Sequence, residues 1–128
     1  MPKFQTNLLI NQMTDNIFEL VAPLVYESDL LKYTITVLVG FQSDGASVPR
    51  VPIAYMLFGD RAHHESVIHD YLYRIDAFPE VTRSRADDVF LEAMKCRGKG
   101  FFVRYAMWMG VRSGGWMAYH KKKVADKL

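Results

Sequence analysis

One cysteine in 128 residues, Cys96, leaves no possible internal disulfide, so packing alone must stabilise the chain and a reducing compartment is expected for its folding. No apolar run approaches the roughly 18 residues that a spanning helix requires, and no transmembrane segment is expected. The opening stretch, MPKFQTNLLINQMTDN, lacks the long apolar core of a secretory signal. Synthesis in the cytosol follows as the expectation. Excess charge of one sign is also missing: at a net +2, with few basic residues and no recognised module interleaving them with aromatics, no specific nucleic-acid binding is expected. Repeats, low-complexity segments and linkers are absent too, which favours a single domain over residues 1–128.

What is present is a chain of ordinary globular composition, half of it hydrophobic. Its positive charge is uneven, with Lys121, Lys122 and Lys123 beside His120, and Arg97, Lys99 and Arg104 upstream. Such a patch can meet phosphate on lipid or nucleic acid by Coulomb attraction, or simply be a solvated tail. Residues 1–50 read as mainly β: IFELVAPLVYES and YTITVLVGFQSD are rich in β-branched and aromatic residues, and residues 33–41 make the best strand. Residues 51–128 read as mainly α. Helices are expected over residues 62–73, 84–95 and the FFVRYAMWMGVR stretch, with a short terminal helix in WMAYHKKKVADKL. Pro79 separates the first two helices, and residues 98–100 end the second. The aromatic residues Phe101, Phe102, Trp108 and Trp116 and the methionines among them recur at helical intervals, a pattern expected of core. The fold class expected is α+β, a small N-terminal antiparallel sheet packed with a C-terminal layer of three to four helices.

Within the first helix, HDYLY places polar groups in an apolar setting. His69 and Tyr73 are four residues apart and share a face, while Asp70 sits about 100° round. The second helix offers Arg83 and Asp87 at the same four-residue spacing. If the RIDAFPEVTR turn makes the helices antiparallel neighbours, Asp87 faces His69 and Tyr73. A carboxylate held by a phenol and an imidazole orients a general-base histidine, and it is equally a self-satisfied structural network. Asp44, Gly45 and Ser47 carry the chemistry of a tight turn, and Arg50 could pair with Asp44 or Asp87. His63 and His64, at the helix start, lack ligand-type spacing for a metal.

The ordered motifs SDGASVPR, HDYLY and RSRADDVF, covering about residues 33–116, resemble a bacteriophage and prophage family classed as a domain of unknown function, DUF1353. That likeness implies a phage origin and brings no activity with it. A shorter likeness is chemical: HDYLY is similar to the H-D-x-x-Y helix of phospholipase A2, and RADDVF to the A-D-x-x-F segment of the parvoviral type, which also manages without disulfides. The resemblance implies His69 as the base that activates water, Asp87 as its partner, Tyr73 as donor to Asp87 and Asp70 as a calcium ligand. Calcium needs several oxygens, which the Asp44–Gly45 loop would supplement, with Ser47, Arg50 and Arg83 lining the cleft. Here the sequence departs from the phospholipase loop, normally Y-G-x-x-x-G, since Gly45 is flanked by Asp44 and Ala46.

The expected function is therefore a phage-encoded phospholipase A2-like hydrolase with phospholipid as partner, acting on envelope lipid as the phage enters or lyses its host. One alternative is a non-enzymatic virion or tail component docking on other virion proteins. A second is a zinc hydrolase of wall peptide or nucleic acid using His69, Asp70 and Asp44. The protein is expected in the host cytoplasm when made, with later incorporation into the virion open.

Overall fold

The computed structural model describes residues 2–13, 17–43, 63–114, 116 and 119–128, without the side chain of His63. Among the described residues the N-terminal half holds two three-stranded antiparallel sheets and the C-terminal half three helices, an α+β arrangement.

In the first sheet the order is β1 (Lys3–Phe4), β4 (Leu24–Ser28), β5 (Tyr33–Val37). Strand β4 alternates as a half-buried strand must, sending Leu24, Tyr26 and Ser28 inward. Across the β4–β5 hairpin Leu24 faces Val37 and Tyr26 faces Ile35, and all four are fully buried. The second sheet runs β2 (Ile10–Gln12), β3 (Phe18–Leu20), β6 (Gln42–Ser43).

The long strand expected over residues 33–41 covers only Tyr33–Val37. β5 stops at Val37, Leu38 and Val39 turn out to solvent, and Gly40, at φ +92°, swings Phe41 back into the core. Gly40 donates its N–H to Leu20 O (2.9 Å), and a side chain there would meet the steric penalty of positive φ. The apolar run thus passes from one sheet to the other.

Helix α1 is His63–Tyr73, α2 is Arg83–Cys96 and α3 is Phe101–Gly114. Thr82 caps α2, its hydroxyl accepting the Arg85 N–H at 3.2 Å, and Gly98 at φ +82° follows its end. α2 is the middle layer. Its Ala86, Val89 and Ala93 pack with Ile68 and Leu72 of α1 on the sheet residues, while Phe90 and Met94 meet Met107 and Val111 of α3. Full burial of side chains this large is worth about 1.5–3 kcal/mol each, enough to fix the helix on both sides.

Two expectations fail in the last third. Phe101, Phe102 and Trp116 are exposed, as is Met109, because among the described residues α2 is what covers α3 and Met107 and Val111 are the side chains of α3 buried against it. Residues 119–128 form turns rather than a helix, since their polar backbone groups bond elsewhere: His120 N to Tyr73 O (2.8 Å), Ile75 N to Lys122 O (2.8 Å) and Leu128 N to Gln42 Oε1 (2.7 Å). The buried Arg74 fastens the same seam, donating to Gln42 O at 2.9 Å and Lys123 O at 3.0 Å.

Candidate active site

α1 and α2 pack side by side, and the helical spacing of their polar residues decides what meets at the seam. His69 and Tyr73 project together from α1, one turn apart, with ring centroids 4.1 Å from each other. Asp87 faces them from α2. His69 Nε2 lies 2.7 Å from Asp87 Oδ1, and the Tyr73 hydroxyl donates to that same oxygen. All three are buried, His69 to 1% exposure and Asp87 to 0%. On its other side the imidazole ring lies 4.9 Å from Phe90, so the pair is walled by apolar surface.

Asp87 Oδ2 has a different partner. Arg112, in the last turn of α3, donates to it at 2.8 Å, and Arg83 stands 3.6 Å away. Arg83 also donates to Val111 O (3.2 Å) and Arg112 O (3.1 Å), meeting carbonyls at the C-terminal end of α3 where a cation is favoured. Burial alone would push the Asp87 carboxyl up, but hydrogen bonds from His69, Tyr73 and Arg112 outweigh it and hold the group below its ordinary value of 3.8. Asp87 is therefore ionised at neutral pH. An ionised carboxylate only accepts, so the imidazole Nε2 donates and a neutral ring carries its lone pair on Nδ1. Burial and the bond to Asp87 together raise Tyr73 well above the ordinary tyrosine value, and it stays a phenol.

Asp70 points elsewhere, as its 100° offset requires. It accepts a hydrogen bond from Ser43 Oγ, at the end of β6. Asp44, Gly45, Ser47 and Arg50, which follow Ser43 in the chain, lie outside the described residues. Among the described residues no group of three His, Cys, Asp or Glu side chains is placed to hold a metal ion.

Two parts of this arrangement were not anticipated from sequence. One is Arg112, whose signal was a buried carboxylate on α2 needing a cation from the next helix. The other is Glu65, one turn before His69 on α1 and fully buried rather than solvated, 3.3 Å from Arg97 Nη1 and 3.6 Å from Lys99 Nζ. His64 is half-buried beside Phe4, ring centroids 5.4 Å apart.

Fold and site together define a small α+β protein with a buried His–Asp–Tyr centre between two helices. The chain belongs to the family described as proteins of unknown function, DUF1353, which matches residues 18–111. That span contains His69, Tyr73, Arg83 and Asp87 and stops one residue short of Arg112. Neither a curated protein nor a solved structure matches the chain.

Proposed function

We propose that the protein is a phospholipase A2-like hydrolase in which His69 activates water, encoded by a phage and directed at envelope lipid as the phage enters or lyses its host. The observation that carries this reading is the 2.7 Å bond from His69 to an ionised Asp87 that Tyr73 and Arg112 hold in place. In the reaction, a water proton passes to Nδ1 of His69 as the water oxygen bonds to the ester carbonyl carbon. The imidazolium is stabilised by Asp87 and returns the proton to the leaving alcohol oxygen as the ester bond breaks. Tyr73 positions Asp87 without itself transferring a proton.

Asp70 is the carboxylate that would ligate calcium; it accepts from Ser43, which immediately precedes Asp44 and Gly45 in the chain, and those two residues would supply further oxygens. When bound, the ion would polarise the ester carbonyl. The zinc alternative draws no support from the described residues, because His69 turns to Asp87 and Asp70 to Ser43.

Calorimetry with calcium on the wild type and on Asp70→Asn, followed by phospholipid hydrolysis with calcium and with a chelator, tests the reading. Binding lost in the variant together with calcium-dependent release of fatty acid is expected; no binding and no release sinks it. A second reading then takes over, a non-enzymatic virion or tail component, which the near-complete burial of His69 and the exposed apolar face of α3 favour.

A further inference from the structure

α3 is apolar on both sides, and the described residues pack against one of them. Phe101, Tyr105 and Met109 follow one another at four-residue steps with Phe102 alongside, exposed by 58, 37, 62 and 84%. Ala106 and Gly110 fill the gaps, so the outer stripe of this helix contains no charge. Beyond it Trp116 is 63% exposed. Runs of large apolar side chains left in water at this density mark an interaction surface rather than ordinary scatter.

Charge says what kind of surface. Residues 97–128 carry eight lysines and arginines against one acid, Asp126, whereas residues 1–96 carry eight against thirteen acids. Arg104 stands at the stripe itself, 5.7 Å from both the Phe101 and Tyr105 rings and donating to Lys99 O at 3.1 Å, while Arg97 and Lys99 just before the helix pair with Glu65 and Arg112 near its end pairs with Asp87. A second copy meeting this face with its own would bring together two helices that carry Arg104 and Arg112 and no acid, which Coulomb repulsion disfavours. An anionic bilayer satisfies both halves at once, taking aromatic and methionine side chains at the acyl boundary and meeting Arg104 with phosphate. With 14 residues the helix is about 21 Å long, too short to cross a hydrocarbon core of about 30 Å, so it lies in the plane of the interface.

We infer that α3 is a membrane-docking helix that seats the protein on anionic lipid through Phe101, Phe102, Tyr105 and Met109. The choice of occupant rests in part on the lipid substrate proposed above. Docking also brings the dyad near the bilayer, because the same helix carries Arg112, whose guanidinium holds Asp87.

The test is co-sedimentation of the full chain with phosphatidylcholine vesicles and with vesicles containing phosphatidylglycerol, at low and high salt. Binding to the anionic vesicles that weakens with salt is expected. Phe102→Ser combined with Met109→Ser should lower partitioning about 100-fold, since each buried apolar side chain is worth roughly tenfold. Its melting temperature should stay put, because both side chains already face solvent. No binding by the wild type, or equal binding by the double variant, overturns the inference. So does a wild-type dimer in sedimentation velocity that the double variant dissolves, since a second copy would then cover the face. Failure of the hydrolase reading looks different: vesicles are bound but not hydrolysed. Failure of docking alone leaves hydrolysis of a dispersed short-chain ester without vesicle binding.

Discussion

Asp87 and Glu92 project from the same helix, and each accepts a hydrogen bond from a buried tyrosine, Tyr73 in one case and Tyr26 in the other. Five residues of separation turn them about 140° apart, so Asp87 faces α1 and α3 while Glu92 faces the sheet. Glu92 gathers three neutral donors at 2.7 Å each: Tyr26 OH, Ser28 Oγ and the Leu30 N–H. That set fastens the β4–β5 hairpin to the helix. Asp87 gathers an imidazole and a guanidinium as well, groups that hold or change charge. Tyrosine on carboxylate is thus common to both regions, and the histidine is what separates a centre able to move a proton from a clasp.

The comparison breaks most visibly in catalysis. His69→Gln should reduce phospholipid hydrolysis about 10³-fold, the usual contribution of a general base, with little change in melting temperature. Glu92→Gln should leave kcat unaltered. Equal losses in the two variants would mean that the dyad has no chemistry of its own. Stability separates the two carboxylates less sharply. Asp87→Ala leaves Arg112, His69 and Tyr73 without their acceptor and should cost about 3 kcal/mol. Glu92→Ala strands only neutral donors and should cost about 2 kcal/mol. Urea midpoints measure both, and a larger loss at Glu92 reverses the ranking.

How much of this was legible beforehand depends on the range over which each contact acts. His69, Tyr73 and Asp87 could be brought together because two helical periods and one short connection fix which faces meet. Asp70 could be turned away by the same arithmetic. Arg112 could not be reached that way, since its bond to Asp87 requires knowing which side of α3 packs on α2. Glu92 escaped because its partners lie in the β4–β5 hairpin, more than sixty residues earlier in the chain. Periodicity also misled on α3: it reports that a stripe is apolar and says nothing about what covers it, so Phe102 and Met109 were assigned to a core that ends one row short of them. β1 and β2, of two and three residues, are too short for alternation to register.

The finest difference between the two regions lies in their response to pH. Burial, and then the bond to a carboxylate, raises both Tyr73 and Tyr26 above the ordinary value of 10. An unfolded chain loses these protons near pH 10 while the folded one retains them, so it binds fewer protons than the native state and stability falls as pH rises beyond that point. Tyr73→Phe and Tyr26→Phe should each flatten this alkaline decline, by at most about 1.4 kcal/mol per pH unit for the group removed. At the acid end Tyr73 acts through Asp87. Asp87 is depressed in the folded state, so its contribution is present above about pH 4 and is lost as pH falls through the lower folded value. Tyr73 supplies one of the bonds that keep it depressed, and Tyr73→Phe should therefore shrink the acid decline too. Urea midpoints taken from pH 3 to pH 11 on the three proteins read both limbs. An acid limb left unchanged in Tyr73→Phe would mean that the phenol contributes nothing to holding the Asp87 carboxyl below its ordinary value.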